Sequence, residues 1–346
     1  MSLRTLDPLD IPDWDALLVR SGDPDFFHTS GWARVLSGTY GFKPLYVAGF
    51  RGDRLSLLMP LMEVRGFLGR RRAVCLPFTD HCAPFFSEKG DLEEAVRFAL
   101  GLGKEGGWRS IEWRDADGLG SAVPASESFL GHDLDLRLTE EALWGRLREA
   151  NRRNIKQAVR EGVTVEFGRT AEALAGFCRL NGLTRKRHGL PPQPDAFFAA
   201  LLKHILVPGL GDVVSAHRDG RLLAASMFFR FESQAVFKYG ASDPAAHAWR
   251  PNNLIMWEAI RRYRELDVRT LSLGRTEPAN EGLLRYKRAW GAKERALSYF
   301  RYDLSEQAFI TKGPASRRSQ AYAKLLSFLP LGLLRAIGKR AYRYVG

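Results

Sequence analysis

Two apolar hairpin patterns recur along the chain at a constant distance. Residues 47–55 (VAGFRGDRL) and 214–222 (VSAHRDGRL) share Val, Arg, Arg and Leu around a Gly/Asp dipeptide, at an offset of 167 residues. Each pattern predicts a strand, a tight turn and a second strand. Further on, a helical stretch precedes a strand at 109–113 and again at 269–273. The order hairpin, strand, helix, strand therefore occurs twice, which predicts an internal duplication.

A charged helix is predicted where the two copies join. It starts at Thr139, an N-cap residue followed by two glutamates, and runs to Gly162. Cations recur every fourth residue along it and predict a basic ridge on one side of the helix. The members of this ridge are Arg148, Arg152, Lys156 and Arg160.

The rest of the second copy alternates between strands and amphipathic helices. Residues 234–242 predict a strand, 243–251 a loop, the stretch from about Asn252 a helix, and 270–273 another strand. This alternation predicts an α/β fold in which helices cover the faces of mixed sheets. We place the first domain at 1–138, the second at 139–311 and a tail at 312–346.

Composition is that of an ordinary globular protein. The 346 residues are 45% hydrophobic and 26% charged, enough chain for about two domains. No stretch approaches the roughly 20 apolar residues of a membrane span, and acidic residues near the N-terminus argue against a signal peptide. We therefore expect a cytoplasmic protein. The three cysteines form no CxxC pair, so neither a disulfide framework nor a metal site is predicted.

Positive charge is concentrated at the C-terminus. The net charge is +13, and residues 312–346 contain eight cations and no acid, which leaves +5 for residues 1–311. Phosphates, RNA and an anionic membrane surface are the partners that such a charge favours. The tail also contains many leucines, so two interpretations stay open: a cationic amphipathic segment on a membrane, or a helical hairpin packed on the first domain.

Some catalytic motifs are missing and two polar clusters stand out. The chain lacks a P-loop, a GxGxxG after a strand, HExxH and GxSxG, which argues against ATP hydrolysis, hydride transfer and serine hydrolysis.

Asp80 and His81 lie at the end of a strand-like run. Two interpretations stay open for them: catalytic groups, or a turn exposed to solvent. Residues 184–189 (TRKRHG) bring four potential cations to a helix C-terminus, where either the helix dipole or anion capture explains them.

Several segments occur in the order and spacing of a known family. They include 151–163 (NRRNIKQAVREGV), 238–242 (KYGAS), 251–260 (PNNLIMWEAI) and 284–291 (LRYKRAWG). In the first half, 27–32 (FHTSGW) and 76–80 (LPFTD) resemble a FemAB-like subgroup associated with bacterial exopolysaccharide and envelope loci. Nearly all of 20–305 thus resembles the FemABX family of the GNAT acyltransferase superfamily.

The resemblance implies two tandem GNAT-like (acyl-CoA N-acyltransferase) domains, mixed central sheets flanked by helices, in agreement with the internal repeat. Family members transfer an amino acid from aminoacyl-tRNA to the peptide amine of a cell-wall precursor. In such a reaction an uncharged amine attacks an ester or thioester carbonyl, a proton leaves the nitrogen, and donors hold the oxyanion. The resemblance therefore implies acyl transfer to an amine.

Candidate catalytic residues also follow from the resemblance. Lys287 is in the position of the family's Phe-Lys pair, with Tyr286 in place of the Phe, and would neutralise a substrate carboxylate or the developing negative charge. Tyr239 falls on the strand whose aromatic hydroxyl faces the acceptor. Asp80 is the carboxylate that we would test as proton acceptor.

Further residues are candidates for substrate binding. Arg185 or Arg187 falls near the helix whose basic residue grips precursor phosphates in the family. Tyr286, His81 and Asn253 complete the set of candidate substrate-binding residues.

The donor is constrained by one departure from ordinary GNAT proteins. Their pyrophosphate loop, [Q/R]xxGx[G/A] at a helix N-terminus, would fall at 243–253, where the sequence DPAAHAWRPNN has no glycine. Coenzyme A bound in the usual manner is therefore disfavoured. We expect no bound cofactor, and a donor that is aminoacyl-tRNA or acyl-CoA. Residues 185–206 are too few for the coiled-coil arm of some tRNA-using members, although other members lack it.

Three classes of function remain open. The first is a FemABX-like transferase that moves an aminoacyl or acyl group to an amine of a peptidoglycan or exopolysaccharide precursor, peripheral to the inner membrane face. The second is an acyl-CoA-dependent GNAT N-acyltransferase, and the third is a non-catalytic RNA- or membrane-binding protein. No DNA-binding signature is present, so DNA is not expected as a partner.

Overall fold

The chain folds into two compact units. The computed structural model describes residues 2–116, 119, 123–311 and 324–344. Unit 1 comprises Met1–Leu130, Ala296–Pro314 and Arg340–Gly346, and unit 2 comprises Gly131–Arg295 and Ala315–Lys339. Neither unit is one continuous segment, which differs from the predicted domains 1–138 and 139–311, because the strand after residue 295 pairs within unit 1.

Unit 1 begins with short strands and helices in alternation. Its elements up to residue 135 are β1 (Leu3–Leu6), α1 (Trp14–Ser21), α2 (Ser30–Tyr40), β2 (Lys43–Pro44), β3 (Tyr46–Arg51), β4 (Arg54–Met59), β5 (Met62–Arg65), β6 (Arg71–Val74), β7 (Phe85–Phe86), α3 (Lys89–Glu105), β8 (Trp108–Arg114) and β9 (Glu127–Asp135), whose last residues belong to unit 2.

Unit 2 repeats the predicted alternation. Its elements are α4 (Glu140–Arg146), α5 (Glu149–Arg160), β10 (Thr164–Gly168), α6 (Ala171–Arg187), α7 (Asp195–Leu201), β11 (Gly211–Arg218), β12 (Arg221–Phe231), β13 (Gln234–Ser242), α8 (Pro251–Glu265), β14 (Thr270–Thr276) and α9 (Glu281–Arg288). The chain then continues through β15 (Lys293–Asp303), β16 (Ala308–Phe309) and α10 (Leu331–Ala341).

Two sheets organise unit 1. Strands β1, β3, β4 and β7 form an antiparallel sheet in that order. In the second sheet β2, β5 and β6 are antiparallel neighbours, β8 joins β6 in parallel, and the second half of β15 runs antiparallel to β8. Large aromatic side chains fill the core, among them the fully buried Trp14, Trp32 and Trp113. Mixed sheets flanked by helices confirm the predicted fold class.

Both predicted hairpins form. In unit 1, Arg51 pairs with Arg54 across the β3–β4 turn, and in unit 2 Arg218 pairs with Arg221 across the β11–β12 turn. The register shifts in each hairpin a few residues before the turn, between Gly49 and Phe50 and between Ala216 and His217. The bulges occur at matching places, as expected for two copies of one motif.

The sheet of unit 2 is antiparallel from β10 to β13, and β14 then lies parallel to β13 and next to β9. Helices α5 and α8 contribute apolar residues to one large core cluster together with Val214, Phe228 and Leu271 of the strands. On β12, Phe229 follows Phe228 in the sequence. Phe229 is buried together with Phe177 of α6 and Phe197 of α7. Because neighbouring residues of a strand point to opposite faces, helices cover both faces of this sheet.

The continuous helix predicted from Thr139 to Gly162 is wrong. Thr139 does cap α4, and its hydroxyl accepts a hydrogen bond from the Ala142 N–H at 3.2 Å. Leu147 and Arg148, however, are extended, with ψ of 137° and 146°. Leu147 is buried in the core, and the Arg148 N–H donates to the Ala289 carbonyl at 2.9 Å. Arg148 therefore lies outside α5, and the helical part of the predicted basic ridge starts at Arg152.

Strands β13 and β14 separate after a short paired stretch. In the described structure their register covers Gln234–Val236 against Thr270–Ser272, although both strands continue beyond it. The backbone of Gly274 turns to a φ of 72° in the separated part of β14. The C-terminal ends of parallel strands are a common place for a ligand site in α/β folds.

The described part of the tail packs on the protein. Within unit 2, α10 buries Leu334 and lays Gly338 against Pro192. Within unit 1, the ring of Tyr342 lies 5.5 Å from that of Phe78 and 6.5 Å from that of Tyr40. Residues 312–323 of the predicted tail lie outside the described residues. None of the described helices is long and apolar enough to cross a membrane.

Candidate functional site

Unit 2 contains a cleft at the end of β13. It has a volume of about 250 Å³ and lies between the C-terminal end of α6 and the first turns of α8. Apolar and polar side chains both line it, a combination typical of small-molecule sites. The lining residues are Thr184, Arg187, His188, Ser226, Phe237, Gly240, Ala241, Ser242, Asn252, Ile255, Met256 and Tyr286.

His188 ends α6 at the rim of the cleft. Burial and the positive charges of Arg187 and Arg185 lower the pKa of its imidazole below the ordinary 6.5. The imidazole is therefore neutral at pH 7 and has a ring nitrogen that can accept a proton. Burial and the neighbouring arginines disfavour a further positive charge here, so His188 adds less to the charge of this helix end than the sequence 184–189 predicts.

Tyr286 reaches the cleft from α9. Burial raises the pKa of its phenol to about 12, so the hydroxyl keeps its proton at neutral pH and can act as a hydrogen-bond donor. Its ring contacts Trp290 edge-on at 6.2 Å. The structure thus brings Tyr286 and Arg187, two of the predicted substrate-binding residues, to one cleft.

The two arginines of α6 are in different environments. Arg185 is half-buried, and its Nε and one terminal nitrogen donate to the Pro191 carbonyl at 3.3 and 3.2 Å. Arg185 therefore ties the end of α6 to the following loop. Arg187 is exposed and lines the cleft, where its guanidinium is suited to bind a phosphate or carboxylate.

Tyr239 lies on the other face of β13. Along β12, Met227 pairs with Tyr239 and the next residue, Phe228, pairs with Phe237. Lys238 has no partner in this register and is therefore the extra residue of a β-bulge. Phe237 lines the cleft, whereas the ring of Tyr239 packs among Phe177, Phe197 and Phe229 at 6.3 to 6.5 Å. Tyr239 is not among the described residues that line the cleft, so its predicted role toward the acceptor stays a prediction.

Lys287 is only 4% exposed. Its Nζ donates to the carbonyl oxygens of Gly274 and Arg275, each at 2.9 Å. Both carbonyls belong to the part of β14 that has separated from β13. The ammonium therefore holds this end of β14 in place next to Tyr286, and its predicted role in neutralising substrate charge stays a prediction.

Asn253 connects two helices of unit 2. Its side-chain amide donates to the Asn151 Oδ1 of α5 at 3.1 Å, and Asn151 in turn donates to the Ala289 carbonyl at 3.0 Å. The neighbouring Asn252, and not Asn253, is among the residues that line the cleft. The predicted binding role of Asn253 stays a prediction.

Asp80 and His81 belong to unit 1. The Asp80 carbonyl accepts a hydrogen bond from the Tyr299 hydroxyl at 2.7 Å. His81 is buried, with its Nε2 3.6 Å from Asp25 Oδ2 and its ring 5.4 Å from that of Phe27. The roles predicted for Asp80 as proton acceptor and for His81 in substrate binding stay predictions. Within the described residues, no group of His, Cys, Asp and Glu is arranged to hold a metal ion.

The segment before α8 is closed by its own hydrogen bonds. Residues Pro244–Trp249 form a 3₁₀ helix capped by Asp243, whose carboxylate accepts from the Ala245 N–H at 2.9 Å. The N–H groups of Ala246, Arg250 and Asn253 also donate within the segment, and the two prolines have no N–H group. A diphosphate cradle needs free backbone N–H groups at a helix N-terminus. In this segment many of the backbone N–H groups already donate to acceptors of the segment itself.

The part of the chain that contains the cleft matches a known family. Residues 145–288, which include the whole cleft, match the family described as Acetyltransferase (GNAT) domain. None of the curated proteins matches the sequence.

Solved structures share the fold at low sequence identity. FemX is 15% identical with a TM-score of 0.68, covering 88% of this chain and 98% of FemX. L-PGS from Bacillus licheniformis is 12% identical with a TM-score of 0.54, covering 92% of this chain and 98% of L-PGS. A tandem GNAT protein from the clavulanic acid biosynthesis pathway is 12% identical with a TM-score of 0.51, covering 91% of this chain and 99% of that protein. Residues 145–288 therefore match a GNAT acetyltransferase domain, which supports an acyltransferase, and the solved structures share the fold of the chain.

Proposed function

We propose that unit 2 transfers an aminoacyl group from aminoacyl-tRNA to an amine of a cell-envelope precursor. The observation that carries this proposal is the cleft in the GNAT domain, where a neutral His188, a cationic Arg187 and a protonated Tyr286 meet. The likeness of the fold to FemX and the family resemblance of the sequence support the choice of an envelope precursor as acceptor.

The groups of the cleft suit each step of the reaction. The acceptor amine attacks the carbonyl carbon of the aminoacyl ester, so a C–N bond forms while His188 accepts the amine proton. The Tyr286 hydroxyl donates to the carbonyl oxygen as negative charge develops on it. The C–O bond of the ester then breaks, and the imidazolium returns the proton to the departing ribose oxygen. Arg187 binds a phosphate of the acceptor, and the charge of Lys287 stabilises the developing negative charge from the end of β14.

Two features favour tRNA over coenzyme A as the carrier of the acyl group. Backbone N–H groups before α8 are already hydrogen-bonded, which disfavours a bound diphosphate. In addition, α5 lies beside this segment, since the Gln157 amide donates to the Ala248 carbonyl at 3.0 Å. Arg153, Lys156 and Arg160 of α5 are exposed there and can contact tRNA phosphates.

A donor panel on the full chain tests the proposal. We would measure binding of acetyl-CoA, longer acyl-CoAs, charged tRNA and uncharged tRNA, together with transfer of a radiolabelled amino acid to amine-bearing precursors. We expect binding and transfer with charged tRNA only. Tight coenzyme A binding with acyl transfer from it would contradict the choice of donor and favour ordinary GNAT chemistry.

The His188→Gln variant tests the proposed proton acceptor. We expect transfer to fall by about 10²- to 10⁴-fold, because Gln cannot accept the amine proton, while charged tRNA binds as before. Lys186→Gln is the matched control, since Lys186 is on the same helix but is not among the cleft residues. Equal rates for His188→Gln and the control would exclude His188 as the base.

A further inference from the structure

An apolar hairpin tip projects into solvent from unit 1. Between β5 and β6 the chain makes a short turn, Phe67–Gly69, in which Phe67 is 74% exposed and Leu68 is 81% exposed. The backbone of Leu68 has a φ of 71°, in the left-handed region. Gly, Asn or Asp adopt this conformation more readily than Leu. The fold therefore holds a large apolar side chain in water in a conformation that does not favour it.

Cations surround this tip. Arg65, Arg70 and Arg71 are all exposed. Glu63 pairs with two of them, at 4.0 Å from Arg65 and 3.9 Å from Arg71, and its carboxylate also accepts the Trp108 indole N–H at 2.7 Å. This single carboxylate offsets only part of the charge of the two arginines that it contacts.

The end of the chain extends the same surface. The exposed ring of Tyr344 contacts that of Phe67 edge-on at 5.9 Å, and the exposed Arg343 precedes it. Apolar side chains and cations thus share one face of unit 1. We call this face the hairpin patch, and it consists of Arg65, Phe67, Leu68, Arg70, Arg71, Arg343 and Tyr344.

We propose that the hairpin patch binds the surface of an anionic lipid bilayer. Phe67 and Leu68 enter the boundary between head groups and acyl chains, Tyr344 lies at head-group level as aromatic residues at membrane interfaces do, and the arginines bind lipid phosphates. The proposal concerns where the enzyme works and does not depend on the choice of acyl donor or acceptor.

Lipid suits the patch better than RNA does. Both ligands offer phosphates to the arginines, but RNA binding relies on aromatic rings that stack on bases. The most exposed apolar residue of the tip is Leu68, which has no ring to stack. Acyl chains are a suitable environment for its side chain, and its removal from water contributes to binding.

Vesicle co-sedimentation of the full chain tests the proposal. The probes are vesicles of phosphatidylcholine alone and of phosphatidylcholine with 30% phosphatidylglycerol. The test variants are Phe67→Ser with Leu68→Ser, and Arg70→Gln with Arg71→Gln. Val207→Ser is the control, because Val207 is an apolar residue of unit 2 with a similar exposed fraction, 68%. A second control, Leu325→Ser with Phe328→Ser, removes two exposed apolar residues of the tail.

We expect the wild type and both controls to sediment with anionic vesicles and hardly with neutral ones. The Phe67/Leu68 variant should lose about tenfold or more in apparent affinity. The Arg70/Arg71 variant should lose at least about fivefold for each cation. Thermal unfolding should be unchanged in both test variants, because the altered side chains are exposed.

Three results would overturn the proposal. The first is wild-type vesicle binding by the Phe67/Leu68 variant, and the second is a loss of binding only in the tail variant. The third is that both test variants bind vesicles normally but lose affinity for tRNA, which would make the patch a nucleic-acid surface. The first two results leave the proposed acyl transfer untouched, and the donor panel, which measures transfer itself, distinguishes a failure of this proposal from a failure of the proposed function.

Discussion

At the scale of single residues, a buried ion pair in unit 1 is sensitive to pH. The His28 Nδ1 lies 2.9 Å from Asp25 Oδ1 and its Nε2 lies 3.0 Å from the Ala83 carbonyl oxygen. Both partners are acceptors, so the two hydrogen bonds require an imidazolium that donates from both nitrogens. Burial alone would lower the pKa of His28, but the charge of the Asp25 carboxylate has the larger effect, so the pKa is raised. Burial alone would raise the pKa of Asp25, but His28 has the larger effect, so that pKa is lowered.

The sign of the pH dependence follows from these shifts. Because the folded pKa of His28 is raised, its contribution to stability is complete below the ordinary pKa of 6.5 and is lost as pH rises through the folded value. We expect His28→Gln to lose about 3 kcal/mol of unfolding free energy near pH 6, since it removes the positive charge that lies nearest to the buried Asp25 carboxylate. The deficit should shrink steadily toward pH 9.

Chemical denaturation of the wild type and the variant at several pH values measures this difference. His217→Gln is the control, because His217 is half-buried and lies 3.9 Å from the exposed Glu166. Such a pair contributes less than about 1 kcal/mol. A deficit for His28→Gln that stays constant from pH 6 to pH 9 would show that the imidazolium does not stabilise the fold.

At the scale of elements, close packing of the tail helix α10 depends on one glycine. A Cβ at Gly338 would overlap the Pro192 carbonyl oxygen and come within 3.3 Å of Pro191 Cβ. A Cβ at Gly332, one and a half turns earlier, would meet nothing within 4 Å. The two glycines therefore separate the effect of helix propensity from that of packing.

We expect opposite effects from the same substitution at these two positions. Gly332→Ala should stabilise the protein by up to about 1 kcal/mol, because Ala favours the helix. Gly338→Ala should destabilise it by about 1 to 3 kcal/mol, because the backbone of Pro192 must move. Thermal unfolding and limited proteolysis of the tail measure both. A stabilising Gly338→Ala would mean that α10 does not dock on this segment.

At the scale of the whole molecule, unit 1 depends on a strand from the far end of the chain. β15 pairs with β8 from Tyr299 opposite Arg114 to Asp303 opposite Ser110. Within unit 1, Phe129, Leu297 and Tyr299 also form a small buried cluster. A fragment that ends near residue 138 leaves one edge of β8 unpaired and this cluster incomplete.

We therefore expect the isolated fragment 1–138 to lack cooperative unfolding and to aggregate. Residues 1–130 joined by a short Gly/Ser linker to 296–311 should unfold cooperatively, because the fusion restores the partner of β8. Circular dichroism during thermal unfolding and dispersion of amide proton shifts distinguish the two cases. Cooperative unfolding of fragment 1–138 would contradict the assignment of β15 to unit 1.

Much of the fold was predictable because neighbours in the sequence decide it. A Gly/Asp turn between apolar runs favours a hairpin, so the sequence predicts the hairpins of 47–55 and 214–222, and both form. Thr139 caps a helix through its own hydroxyl, and β13 has the bounds that its apolar pattern predicts. The FemABX resemblance likewise agreed with the GNAT match of residues 145–288. Arg187 and Tyr286, which the resemblance implied for substrate binding, line the cleft, and their roles stay predictions.

The sequence by itself thus determined most of the elements and the fold class, because local backbone preferences and apolar periodicity suffice for these, whereas the kind of reaction followed from the family resemblance. The tertiary structure alone decided the partners. A bulge at Lys238 turns Tyr239 away from Phe237, a carbonyl at Ala289 holds Arg148 outside the helix, and two arginines lower the pKa of His188. Each of these depends on the position of another residue in space, and side-chain orientation and proton affinity respond to such neighbours more than to the local sequence.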